Sequence, residues 1–185
     1  NYFQQAILYF KMALQFFTKE DYPELNTMLH SHLAIIHINT KAYEEISEEY
    51  HNEIEKLETS LAEPTGIVSN LQRGKTLLLL AQYYGKKAHF EMDLLNFKKS
   101  FDLFDQSLSY FNLEDYPHLH WKCTYLYTTV LFDYYPLAPA KELLGQINHY
   151  LHDLAKYFTV DHFPNYANLL EQLETKLTVL LDYDQ

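Results

Sequence analysis

The residues best suited to chemistry are ten histidines, one cysteine and 25 carboxylates, and their spacing restricts what each can do. Arg73-Gly74-Lys75-Thr76 carries the Gly-Lys-Thr ending of a phosphate-binding loop. Such a loop needs a further glycine where Ser69 stands and a preceding strand, and neither is present, so nucleotide binding is excluded. His30 and His32, like His118 and His120, sit two positions apart, which sends their side chains to different faces of a helix. The nearest approach to a metal set is His118 or His120 with Asp115 and Cys123, around a predicted helix start. No His-Glu-x-x-His pattern occurs, and Glu-x-x-His is not paired on two helices as di-iron bundles require. Cys123 falls in phase with Leu29 and Leu170, so the spacing predicts a buried structural thiol and not a nucleophile. Glu20-Asp21 and Glu114-Asp115 recur at equivalent turns, which suits turn and capping roles better than acid–base catalysis at one site. Glu44-Glu45 with Glu48-Glu49 forms a solvated helix face. The expectation is a protein without catalysis, cofactor or metal.

The elements that carry these residues follow from composition. The 185 residues hold 14 basic side chains against 25 acidic ones, a net charge of −11 that disfavours binding to a nucleic-acid backbone. Aromatics reach 16%, with 17 Tyr and 12 Phe, whereas 4 Gly and 6 Pro leave few turn signals for a sandwich or barrel. One cysteine excludes an internal disulfide and suits a reducing compartment, so a cytoplasmic location is expected. The longest apolar run, Leu77 to Ala81, is too short to span a bilayer, and no membrane partner is expected.

The chain repeats itself. LQFFTKEDYP (Leu14 to Pro23) returns 94 residues later as LSYFNLEDYP (Leu108 to Pro117), and 47 residues further on as AKYFTVDHFP (Ala155 to Pro164). A degenerate copy, LAEPTGIVSN, occupies the intermediate phase near residues 61–70. Before each motif runs an amphipathic stripe: Phe3, Ala6, Ile7, Phe10, Ala13, Leu14 and Phe17 in the first copy, spaced as core. The stripe returns around Tyr50 to Leu61, Phe97 to Phe111 and Leu144 to Phe158. After each motif, small residues recur at Ala34, Ala81, Thr128 and Thr175, where a neighbouring helix can approach closely. Pro23, Pro117 and Pro164 suit the first turn of a helix. The pattern predicts an all-α single domain over residues 1–185, with helices at 2–18, 24–38, 42–61, 67–85, 89–111, 117–133, 138–158 and 164–182. The clearest breaks are 62–66 and 134–139.

The run Gln5-Ala6-Ile7 through Ala13-Leu14, followed by Phe17-Thr18-Lys19-Glu20-Asp21-Tyr22-Pro23-Glu24, resembles tetratricopeptide (TPR) repeats of bacterial, especially cyanobacterial, scaffold proteins. Ala6, Phe10 and Ala13 match the family's small–aromatic–small pattern, and Leu33-Ala34 and Leu80-Ala81 resemble its Leu-Gly pair. The 47-residue unit exceeds the usual 34, so turns or helices must be longer. The resemblance implies a right-handed α-solenoid of about four helix pairs with a concave peptide-binding groove. A looser similarity to peptide-sensing regulators implies the alternatives of a sensory domain or the recognition arm of a larger enzyme or signalling protein.

Carrying the family's groove positions across gives Met28, Ser31 and Ile35; Lys75, Leu78 and Gln82; Lys122, Tyr125 and Thr129; and Leu169, Gln172 and Lys176. Three lysines and no acidic residue fall on this face. The implied ligand is a protein or peptide, acidic or carboxylate-ended, held by the lysines with Tyr125 and Leu78 as apolar contacts. Apolar end repeats offer a route to homo-oligomers.

Overall fold

The computed structural model describes residues 2–40, 48–62 and 68–183. The described residues form helices and turns without a strand: α1 (Tyr2–Leu14), α2 (Pro23–Thr40), α3 (Glu48–Ala62), α4 (Asn70–Glu91), α5 (Leu94–Tyr110), α6 (Pro117–Tyr134), α7 (Lys141–Tyr157) and α8 (Pro164–Tyr183). None is long and apolar enough to cross a membrane. The proposed break at 62–66 and the Glu44-Glu45 cluster fall largely or wholly outside the described residues, whereas the break at 134–139 lies between α6 and α7.

The recurring motif forms one turn three times. Tyr22, Tyr116 and Phe163 donate backbone N–H bonds to Thr18, Asn112 and Thr159 at 2.9, 3.0 and 2.8 Å. Side chains brace the same turn: Thr18 to Asp21 (3.2 Å), Asn112 to Asp115 (2.8 Å), and Thr159 with His162 (3.1 Å). Each turn also sets an aromatic pair edge to face, namely Phe17–Tyr22, Phe111–Tyr116 and Phe158–Phe163. Proline then opens α2, α6 and α8, where its missing N–H has no intrahelical partner to lose.

Several expected boundaries move: α4, α5 and α7 start three to five residues later than expected, at Asn70, Leu94 and Lys141, and two helix ends shift further. The first helix ends at Leu14, because Gln15 and Phe16 bond to carbonyls three residues back, tightening the chain into the turn. The fourth continues past Gly85 to Glu91, so α4 and α5 are joined by Met92-Asp93 alone. Gly85 is tolerated within the helix because a Cβ there would lie 2.8 Å from Val130 Cγ2.

Successive helices pack on one another, and α4 touches both α2 and α6. The 47-residue phase sets what is buried. Leu33, Ala34, Leu80, Ala81, Tyr127 and Thr128 are all in the interior, as are Tyr50, Phe97 and Leu144 and then Leu57, Phe104 and Leu151. Ser100 and Ser107 lie where α5 meets α4 and donate to Ala81 O (2.7 Å) and Gly74 O (2.9 Å), which satisfies the buried hydroxyls. The ends depart from the expected core. Phe3 is 52% exposed and Phe10 and Phe17 only half-buried, because no described helix covers the face that α4 covers on α5. Thr175 is likewise exposed, although its counterparts Ala34, Ala81 and Thr128 are fully buried.

Candidate functional site

Helices α2, α4 and α6 lie side by side and leave a groove of about 300 Å³. Met28, Ser31, His32, Ile35 and Ile38 line it from α2, Gln72, Lys75, Leu78, Leu79 and Gln82 from α4, and Leu119 and Lys122 from α6. Regular helical spacing does this: residues three or four apart share a face, so each helix contributes a ladder of side chains.

The floor is ordered and the rim is charged. Gln72 Nε2 donates to Ser31 Oγ (3.2 Å) and Thr76 Oγ1 (3.4 Å), while Ser31 donates to Thr27 O (2.9 Å). Gln82 Nε2 donates to Leu78 O at 3.3 Å, and His32 Nδ1 lies 2.7 Å from Met28 O. Leu78 and Leu79 supply buried apolar surface. Lys75 is exposed and Lys122 half-buried; among the described residues neither forms an ion pair, and no carboxylate lines the groove.

Five of the nine residues expected on the binding face therefore meet: Ser31, Lys75, Leu78, Gln82 and Lys122. Tyr125, Thr129, Gln172 and Lys176 do not line this groove. Tyr125 packs edge-on against Tyr166 at 5.5 Å, and Thr129 Oγ1 donates to Leu126 O at 2.7 Å. Lys176 Nζ sits 5.2 Å from the Phe132 ring, while Gln172 is exposed on α8. Five lining residues lie outside the family positions: His32, Ile38, Gln72, Leu79 and Leu119. Gln72 and Leu119 stand one turn before Lys75 and Lys122, so extending the same ladder by three residues finds them.

The other candidates for chemistry are tied into packing. Gly74-Lys75-Thr76 is helix interior, with Arg73 Nη2 donating to Leu61 O (2.7 Å) and Thr76 fully buried. Cys123 is wholly buried, its Sγ 3.9 Å from Phe104 O, and burial pushes its thiol up to about 12. His118 stacks on Phe163, His120 Nδ1 lies 2.8 Å from Phe111 O, and Asp115 holds Asn112. Among the described residues no three His, Cys, Asp or Glu side chains gather as a metal site.

A second cavity, of about 370 Å³, lies between α2 and α3, lined by Asn26, Thr27, His30, Lys56, Thr59 and Ser60 among others. Its hydroxyls are already used, with Thr27, Thr59 and Ser60 donating to Pro23, Glu55 and Leu57 carbonyls. Beside it His30 Nδ1 bonds Glu53, whose other oxygen accepts from Lys56 at 3.2 Å. Burial alone would raise the Glu53 carboxyl, but the His30 hydrogen bond and the charges of His30 and Lys56 outweigh it and hold it low. This pair was not foreseen, because nothing in the spacing of a histidine on one helix and a glutamate on the next announces that they meet.

No family model matches the chain, and comparison with curated proteins and solved structures yields no match.

Proposed function

We propose that this chain is a TPR-like α-solenoid acting as a non-catalytic peptide-binding module, with the groove across α2, α4 and α6 as its binding site. The observation that carries this reading is the charge of the groove. In a molecule of net charge −11, Lys75 and Lys122 overhang an apolar and amide floor with no carboxylate among the lining residues. A peptide with an acidic side chain or a terminal carboxylate fits such a rim, and Leu78 and Ile35 offer contacts to an apolar neighbour in the same peptide.

The test is fluorescence anisotropy with a panel of labelled peptides that pair an apolar residue with a free C-terminal carboxylate, each matched by its amide. Exposed charge pairs contribute about 1 kcal/mol or less each, so reversing both lysines (Lys75→Glu with Lys122→Glu) should weaken binding about tenfold or more. The carboxylate form should bind more tightly than the amide, and added salt should narrow the gap. Equal binding of both forms, or binding indifferent to the double reversal, would remove the groove as the site.

A further inference from the structure

Because the helices after each motif repeat every 47 residues, each position of α4 has counterparts in α2, α6 and α8. Gln72 and Thr76 stand one turn apart on α4. Their counterparts are Leu25 with Leu29, Leu119 with Cys123, and Tyr166 with Leu170. Three copies thus hold apolar or aromatic pairs where the second holds an amide and a hydroxyl. Gln72 is 7% exposed and Thr76 fully buried. Polar groups placed there cost free energy that leucine would avoid, unless hydrogen bonds offset it. Packing by itself therefore gives no reason for the exchange.

The hydrogen bonds account for one end of the Gln72 amide. Ser31 gives its hydroxyl proton to Thr27 O (2.9 Å), so its oxygen is left to accept from Gln72. That fixes Nε2 toward Ser31 (3.2 Å) and Thr76 (3.4 Å). The other end, Oε1, accepts no hydrogen bond from the described residues, yet it is not sealed from solvent. Gln72 lines the groove, so Oε1 is a hydrogen-bond acceptor open to a ligand there and held in place by two hydroxyls.

Lys75 follows three residues later on the same face, and Cβ atoms at that spacing lie about 5–6 Å apart. One ligand residue can reach both side chains. The last residue of a peptide suits them, since only its Cα separates its N–H from its carboxylate. An acidic side chain sets its carboxylate at least one methylene further from its own N–H.

We propose that Gln72 reads the ligand's main chain: its Oε1 accepts the backbone N–H of the terminal residue whose carboxylate Lys75 receives. The inference rests on the groove as a peptide site and adds to it, because a peptide N–H and not charge alone becomes a condition of tight binding.

The probe is the tightest-binding carboxylate-ended peptide of the anisotropy panel, paired with a depsipeptide in which an ester oxygen replaces its last N–H. The unaltered protein should bind the ester about tenfold more weakly, since Oε1 then faces an oxygen and not a donor. Gln72→Leu, which installs the residue found at positions 25 and 119, should bind amide and ester alike at unchanged helicity. If that variant loses helicity, Gln72→Met takes its place. Equal binding of amide and ester by the unaltered protein, or a variant that still discriminates between them, would overturn the role of Gln72 while leaving the groove's preference for a free carboxylate intact. If no carboxylate-ended peptide binds, or the free acid and its C-terminal amide bind alike, the groove reading falls and takes this inference with it.

Discussion

Gly74 and Glu53 show how individual residues answer to neighbours distant in sequence. A methyl group at Gly74 would meet Phe111 Cε1 at 2.7 Å and Tyr110 Cβ at 2.9 Å. Alanine gains about 1 kcal/mol of helix propensity over glycine, but overpacking costs about 1–3 kcal/mol, and Tyr110 Cβ is too near the backbone to swing aside. Gly74→Ala should therefore lower stability, as a shift of the urea midpoint would record. For Glu53 the sign follows from its depressed pKa. The stability that its carboxylate contributes is complete above the ordinary carboxylate range, and is lost as pH falls through the lower folded value. Glu53→Gln should cost about 1–3 kcal/mol at neutral pH. That gap should shrink on acidification to about pH 3, measured by urea unfolding of both proteins at each pH.

Among the elements, the α4–α5 hairpin joins its helices most abruptly. Met92 adopts φ 55°, the left-handed conformation that usually falls to glycine, and its N–H closes on Ala88 O. Its side chain is 63% exposed, so little burial would be lost on removing it. Met92→Gly should raise stability by about 1 kcal/mol, seen as a higher melting temperature. Elsewhere the hairpin is held by side chains: Asp93 caps α5 by accepting from Leu95 N at 2.8 Å. Glu58 of α3 accepts from Tyr84 of α4 (2.6 Å) and Lys99 of α5 (2.8 Å), so one carboxylate fastens three helices.

Across the whole molecule, burial is uneven. No residue of α1 is buried, whereas the larger core cluster draws on residues of α4 to α8. A second cluster joins α2, α3 and α4, and Leu103 of α5 packs against both. Local opening follows burial, so hydrogen exchange should be fastest in α1, slower in α2 and α3, and slowest in α4 to α6. Uniform protection along the chain would contradict this ordering.

Local rules account for what could be foreseen. The 3.6-residue periodicity of Phe97, Phe101 and Phe104, the prolines at 23, 117 and 164, and the Thr/Asn–Asp braces are short-range features, and they predict the helices and the repeated turn from neighbouring residues alone. The positions carried over from the TPR resemblance include Met28, Ser31, Ile35, Lys75, Leu78, Gln82 and Lys122, seven of the twelve residues that line the groove. What depended on packing was out of reach. Phe3 and Phe97 occupy the same phase, yet one is half exposed and the other fully buried, because burial depends on whether another helix lies opposite. The same holds for His30 meeting Glu53, for the need for glycine at 74, and for the groove ending before Tyr125 and Lys176. Each is a contact between residues far apart in the chain, and periodicity specifies a face without specifying what stands against it.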